Sequence, residues 1–282
     1  MPGHQAAGRR TSAQERRALA IFAALHVLAL GALAVPFTRE AGWWLIGSYV
    51  LRMFGVTAGY HRYFSHRAFT LRRVPQFALA WLAQTSGQKG VLWWAANHRH
   101  HHRHADRPDD IHSPHRDGFF WAHVGWVLSD RHVAYDQARI ADFARFPELR
   151  WLDRYHWLPT VTFGAATWLV GGVSAFAWGY LVSTVVLYHA TFAINSVAHI
   201  WGTRRFPTAD ESRNNWLLAL LTLGEGWHNN HHHCMSSARQ GYRWWEIDVT
   251  WIGLRLLAAV GVVRGLRDFP ASMARRAEKQ AA

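Results

Sequence analysis

Residues 41–66, AGWWLIGSYVLRMFGVTAGYHRYFSH, run largely apolar and end in two histidines, His61 and His66. Residues 41–60 are long enough to cross a bilayer as a helix, which takes about 20 apolar residues. The one charge inside that stretch is Arg52. A mid-span charge costs roughly 2.5–3.5 kcal/mol and calls for a partner or a cavity; the sequence names no firm partner.

Working outward, residues 18–37, ALAIFAALHVLALGALAVPF, form an uncharged run behind Arg9, Arg10, Arg16 and Arg17. They read as a first span, joined to the second by a short turn at Thr38–Glu40. Ala32 and Ala34 would make a small-residue cleavage site, but the length of the run and the span that follows at once favour an uncut helix over a signal peptide. Residues 157–173 and 174–194 form a second apolar pair, broken near Gly171 and Gly172, whose end delivers Asn195 and His199. The expected fold is therefore an all-α membrane protein: four transmembrane helices in two hairpins.

The histidines gather where those spans end. Four clusters, HRYFSH (61–66), HRHHH (98–102), NSVAH (195–199) and HNNHH (228–232), carry the candidate ligands. His98, His101 and His102, and again His228, His231 and His232, stand at offsets of three and four, so each trio can share one helix face. Imidazole suits iron, copper, zinc and nickel, and with Cys234 the only cysteine a closed structural zinc site is disfavoured. A catalytic metal centre with room for two ions is the expectation.

Arg-rich segments at 62–73, 99–154 and 204–213 lie on the cluster side, and the opposite turns are nearly chargeless. By the positive-inside rule the clusters and both termini are cytoplasmic. That bias and anionic headgroups account for the net charge of +13, and no nucleic-acid motif accompanies it. Arginine supplies nearly all of the basic residues, which points to a GC-rich bacterial genome and a multi-pass protein of a bacterial inner membrane.

The whole chain, 1–282, reads as one domain with frayed ends at 1–15 and 270–282. Residues 74–95 and 244–263, apolar but interrupted by polar side chains, read as helices lying at the membrane interface. The Trp pairs 43/44, 93/94 and 244/245 read as interfacial anchors. His26 and His189 lie inside spans, where an internal hydrogen bond is the expectation; His100, His104, His112, His115, His123 and His233 fall outside the ligand pattern. A lone His tract would suit metal sequestration, and a metal transporter would place ligands along the spans rather than at their ends.

In this order and setting the clusters resemble the histidine boxes of the integral-membrane fatty acyl desaturases, the stearoyl-CoA desaturase branch in particular. The matching elements are GVTAGYHRYFSHRAF (55–69), NHRHHHRHADRPDDIHS (97–113), GFFWAHVGW (118–126), NSVAH (195–199) and GEGWHNNHH (224–232). The resemblance implies a cytosolic helical cap over the four transmembrane helices, a nonhaem di-iron centre held at the membrane boundary and a bent tunnel for the acyl chain. Carried over by position, the iron ligands are His61, His66, His98, His101, His102, His199, His228, His231 and His232, with Asn195 approaching through water. Asp106, Asp110 and Glu225 are then expected to accept from imidazole N–H groups. Gln88, Trp94 and Thr191 match the residues at the bend of the family's tunnel; Tyr49 and Met53 are further candidates for substrate contact, with Lys89 and Arg131 near its mouth. Met53 lies about 12 Å down the helix from His61 at 1.5 Å per residue, so it is expected to limit the chain to about palmitoyl length.

The implied activity is oxygen-dependent removal of two hydrogens from adjacent methylene carbons, giving a cis double bond, at carbon nine by analogy. Acyl-CoA is the first-choice substrate. Members specific for CoA carry Arg-Asp before the second box, where Ala96 and Asn97 stand here, and Asp130 replaces a second basic position, so acyl carrier protein and lipid-linked chains stay open. Hydroxylation, acetylenic bond formation and decarboxylation stay open as well. No haem, iron–sulfur or dinucleotide motif is present, so electrons are expected from a separate ferredoxin, rubredoxin or cytochrome with its reductase.

Overall fold

The computed structural model describes residues 11–270 and is helical throughout, with no strand among the described residues. Helix α1 (Ala13–Gly31) opens on a reciprocal cap: Ser12 Oγ accepts from Glu15 N, and Glu15 Oε2 accepts from Ser12 N. The expected frayed N-terminus therefore stops short of Ser12. Residues 1–10 and 271–282 lie outside the described residues.

Pro36 and Thr38 turn the chain, and Thr38 Oγ1 caps α2 (Arg39–Phe54) by accepting from Ala41 N at 3.2 Å. Helix α2 does not stop at Phe54. It widens into a π-helical segment, Gly55–Ser65, with φ and ψ still helical at the junction. Glycine is needed here because a Cβ at Gly55 would stand 2.9 Å from the Leu82 backbone of the next helix.

Residues 158–199 are helical and fold back on themselves. Helix α5 (Leu158–Ser174) contains Gly172 at φ 65°, ψ −156°, a backbone state that glycine adopts without steric cost. Beyond it a π-helical segment (Ala175–Val182) leads into α6 (Ser183–Asn195). Thr160 Oγ1 meets Tyr180 Oη at 3.2 Å across this hairpin, where Gly164 leaves room for the Tyr180 ring.

The stretches Ala13–Ala34 and Leu158–His199 are long and apolar enough to cross a membrane. Leu19, Ile21, Val27 and Leu30 on the first, and Leu169, Val170 and Val173 on the second, point outward. Contiguous apolar surface of this kind marks a membrane-facing side.

Arg52 finds neutral partners in the second hairpin. Its guanidinium donates to Thr184 Oγ1 and Ser183 Oγ, each at 2.6 Å, to Ser48 O at 3.3 Å and to Gly179 O at 3.4 Å, and lies 4.9 Å from the Phe163 ring centroid. The fully buried charge thus ties α2 to the π-helical start of the second arm.

The expectation of one interfacial helix over 74–95 is corrected. Two helices, α3 (Arg73–Gln84) and α4 (Val91–His104), are separated by a turn in which Gly87 and Lys89 take positive φ. Gln84 is fully buried, with Oε1 accepting from Val91 N at 3.0 Å and Nε2 donating to Leu152 O at 3.1 Å. The polar residues that interrupt this stretch serve the core instead of a headgroup layer. Trp93 is likewise buried, donating to His132 O at 2.6 Å, and is not an interfacial anchor. Trp43 and Trp244 are exposed. A short helix, α7 (His228–His233), and a longer one, α8 (Val249–Ala259), complete the frame, and Asp248 caps α8 by accepting from Trp251 N at 2.9 Å.

Candidate metal centre

The π-helical segment decides where the first cluster points. In an α-helix, residues five apart are about 140° apart around the axis, so His61 and His66 would diverge. Here His66 N donates to His61 O at 3.2 Å, an i to i+5 bond, and the two rings stand 4.7 Å apart.

Helix α4 presents His98, His101 and His102; α7 presents His228, His231 and His232; His199 sits in the single turn Val197–His199 after α6. The nine rings fall into two groups: His61, His66, His98, His102 and His231 in one, and His101, His199, His228 and His232 in the other. Neither helical trio stays together, which corrects the expectation that each face presents its three nitrogens at once. His98 and His102, an i, i+4 pair, go to the five-ring group while His101 turns away; on α7 His228 and His232 go to the four-ring group while His231 turns back. Adjacent helical residues diverge by about 100°, so His101 and His102 face different centres.

Nitrogens converge within each group. The Nε2···Nε2 distances are 3.0 Å for His61–His231, 3.0 Å for His66–His98, 2.9 Å for His98–His102, 3.1 Å for His102–His231 and 3.1 Å for His199–His228. One ring proton per neutral imidazole cannot serve this linked set, because His98, His102 and His231 each use a single Nε2 in two contacts. Nitrogens bound to one metal at about 2.1 Å and at right angles stand about 3.0 Å apart. His232 Nε2 is buried with no hydrogen-bond partner, and so are Nδ1 of His102, His228 and His231. The residues present therefore fit a pair of metal ions.

Carboxylates orient several rings from behind. His101 Nδ1 donates to Asp110 at 2.8 Å, His199 Nδ1 to Asp106 at 2.8 Å and His232 Nδ1 to Asp210 at 2.9 Å; His61 Nδ1 pairs with Glu225. Each such bond holds the ring proton on Nδ1 and turns the Nε2 lone pair inward. Asp106, Asp110 and Glu225 thus stand where the sequence reading put them. Asp210, Gln240 and Arg62 escaped that reading. Arg62, buried, donates to Glu225 Oε1 at 3.0 Å, Asp248 Oδ2 at 3.1 Å and Ala238 O at 2.6 Å, and Gln240 Nε2 donates to Glu225 Oε2 at 2.9 Å. A charge beside a box histidine was the available signal for Arg62; nothing near Asp210 in the sequence marks it.

Electrostatics favour neutral rings. Burial, with help from neighbouring rings, pushes His66, His98, His102, His228 and His231 well below the ordinary imidazole value, and burial brings His232 down to about 4. His101 is the exception: burial lowers it, but Asp110 outweighs burial and raises it. Burial would raise Glu225, yet His61 and Arg62 bring it down to about 2.

A cavity opens beside the five-ring group, lined among others by Gln88, Trp94, His98, Thr191 and Asn195. Gln88 Nε2 donates to Thr191 Oγ1 at 3.1 Å, and Trp94 is stacked between Tyr60 (5.2 Å) and His98 (4.7 Å). His112, outside the ligand pattern, also lines the cavity and stacks on His101 at 4.1 Å. Met53 is buried in the core and Tyr49 donates to Leu221 O at 2.6 Å; neither is among the residues lining this cavity. Lys89 Nζ lies 4.1 Å from the Trp93 ring, and burial brings its amine down to about 8. Arg131 stands exposed, 4.9 Å from the Trp121 ring. His26 and His189 share an Nε2···Nε2 contact of 3.0 Å, which His189 extends to His123 at 3.0 Å.

A helical chain with two stretches of membrane length and two convergent imidazole groups defines a class: membrane-associated proteins with histidine clusters able to hold metal ions. Residues 41–255 match the family model for fatty acid desaturases, and the chain belongs to that family. It is 37% identical over 255 residues to a probable chloroplastic lipid desaturase of Arabidopsis thaliana, covering 88% of this chain and 69% of that one. It is 37% identical over 232 residues to the sn-2 palmitoyl-lipid 9-desaturase of Nostoc sp. (strain 36), covering 80% and 79%. An acyl-CoA C20 Delta5-desaturase of Anemone leveillei is 35% identical over 249 residues, covering 86% and 78%.

Proposed function

We propose that this protein is a di-iron, oxygen-dependent desaturase that inserts a cis double bond, at carbon nine, into a saturated acyl chain. The observation that carries the reading is the junction of two convergent imidazole groups with a cavity lined by Gln88, Trp94 and Thr191. His61, His66, His98, His102 and His231 would hold one iron, and His101, His199, His228 and His232 the other, with Asn195 contributing through water. Two irons so held would supply the oxidising power, using dioxygen and electrons from an external carrier, to remove two hydrogens and release the oxygen as water.

The chain's own residues place the substrate. A methylene chain offers no charge or dipole to grip, so position along it is set by tunnel shape and distance. The Gln88–Thr191 hydrogen bond and the Tyr60–Trp94–His98 stack fix the wall where the chain would bend. Met53 would set chain length from below, near palmitoyl. Four spans in two hairpins, α1 with α2 and α5 with α6, would put the irons at the cytoplasmic boundary, in one domain with the loop helices as its cap.

For the carrier we infer a membrane lipid before acyl-CoA. Ala96 and Asn97, at the positions where CoA-specific members carry Arg-Asp, are buried, and Asn97 Nδ2 is occupied by Trp93 O at 3.0 Å. Neither can meet a soluble thioester's phosphates. The relative from Nostoc is named for a lipid-linked palmitoyl chain.

The test is product analysis. Cells lacking unsaturated lipids are given the gene, and palmitoyl and stearoyl groups on CoA, on carrier protein and in phospholipid are then supplied to the iron-loaded enzyme with reductant. A monounsaturated product from phospholipid supports the reading in full. Product from CoA alone overturns the carrier, and no unsaturated product from any carrier overturns the reading.

A further inference from the structure

Sharing no residue with the acyl cavity, Arg239, Arg243, Trp244, Trp251 and Arg255 line a groove of about 620 Å³. Small-molecule clefts run from about 300 to 1,000 Å³. Three acids also face it, and each is already engaged. Glu246 pairs with Arg205 at 2.6 Å and accepts from Asn230 Nδ2 at 3.0 Å; Asp248 pairs with Arg62 and accepts from Gln240 N at 2.7 Å; Asp268 lies 3.8 Å from Arg239. Arg239 is further fixed through donation to Gly241 O at 2.6 Å. Arg243 and Arg255 are exposed, and among the described residues their guanidinium groups have no partner. The groove thus closes its account of negative charge and keeps two free cations.

Its rim is apolar. Trp244 is 92% exposed, and Ile247, Ile252 and Leu256 face outward beside it. Helix α8, which carries Ile252 and Leu256, packs on α2 where that helix passes into its π-helical segment: a Cβ on Gly253 would meet Phe54 at 2.7 Å. An exposed Trp with aliphatic neighbours suits the layer between acyl chains and headgroups. Fixed cations just above such a layer attract phosphate.

We propose that this groove is a binding site for an anionic phospholipid, with Arg243 and Arg255 on the phosphate and the Trp244, Ile252 and Leu256 side chains among the acyl chains. It is separate from the cavity beside the histidines and needs no turnover to be observed, so it stands or falls apart from the proposed reaction.

Delipidated protein in neutral detergent, titrated with phosphatidylglycerol, phosphatidylcholine or inorganic phosphate and read by native mass spectrometry, tests it. The expected result is one tight phosphatidylglycerol adduct, with phosphatidylcholine and free phosphate binding far more weakly. Arg243→Gln with Arg255→Gln should weaken phosphatidylglycerol by roughly thirtyfold, from about 1 kcal/mol per basic contact, and leave phosphatidylcholine unchanged. Arg243→Lys with Arg255→Lys, which keeps the charge, should keep the preference and guards against a misfolded double variant. Equal binding of the two lipids, full binding of free phosphate, or an unchanged preference in the Gln variant overturns the proposal. So does a Gln variant that binds lipid normally but is reduced more slowly by an acidic electron carrier, for the groove would then belong to that protein.

Discussion

The two histidine groups are built alike in front and differently behind. In the four-ring group three rings lean on their own carboxylates, Asp110, Asp106 and Asp210. In the five-ring group only His61 has one among the described residues, and that carboxylate, Glu225, is shared with Arg62 and Gln240. More rings with less carboxylate support would hold one centre; fewer rings with more support would hold the other. A carboxylate behind an imidazole makes it a better donor, so the four-ring group can match the five-ring group in affinity with one ligand fewer.

The largest effect expected from breaking this comparison is removal of a ring. His101→Ala takes away one of only four donors, and desaturation should vanish while iron content, measured by atomic absorption, falls. His66→Ala removes one of five and should leave more iron bound than His101→Ala. Equal iron content in the two variants would remove the distinction between the centres.

Next in size are the carboxylates. Glu225→Gln strips the five-ring group of its sole carboxylate and should lower metal affinity by about 10- to 100-fold. Asp210→Asn leaves Asp106 and Asp110 in place and should sit at the low end of that range. Competitive chelator titration measures both, and a larger loss in Asp210→Asn would reverse the comparison.

Much of the fold and site was legible because hydropathy and histidine spacing are local signals. The apolar stretches at Ala13–Ala34 and Leu158–His199, the break at Gly172 and the clustering of nine histidines all announce themselves over short windows. What stayed hidden depends on partners far along the chain. The offsets of three and four on α4 and α7 permit one shared face, and only the crossing of the two helices reveals that each trio divides between centres. The π-helical turn that aligns His61 with His66 has no sequence period of its own, and the close approach of Gly55 to the Leu82 backbone at its start involves a residue far along the chain. Arg52 read as a charge without a partner because Ser183 and Thr184 lie 131 and 132 residues away. Gln84 and Trp93 were misplaced for the same reason: a polar or aromatic interruption looks identical whether it meets headgroups or a buried carbonyl.

Acid should separate rings from carboxylates. Rings with depressed native values take up protons more readily when unfolded, so metal-free stability falls as pH drops below about 6.5, towards the value of about 4 for His232. His101, raised by Asp110, runs the other way but is one ring among many. The carboxylates lose their contribution only at lower pH, near 2 for Glu225. Metal followed from pH 7 downward should therefore stay bound until about pH 4, where His232 titrates, and leave before Glu225 does at about 2; release already complete at about pH 6 would show rings that titrate like exposed imidazoles.

The smallest effect concerns length selection, away from both centres. Met53 stands next to the last residue of α2, separated from His61 by the first part of the π-helical segment, and is buried in the core. Met53→Ala should leave iron content unchanged and shift the product ratio from palmitoleoyl towards oleoyl, because room below the bend admits two more methylenes. Loss of a buried methionine side chain also costs about 2–5 kcal/mol, so the ratio and not the yield is the quantity to read. An unchanged ratio at preserved iron content would place the floor of the tunnel elsewhere and return Met53 to packing alone, the role its neighbours in the core already play.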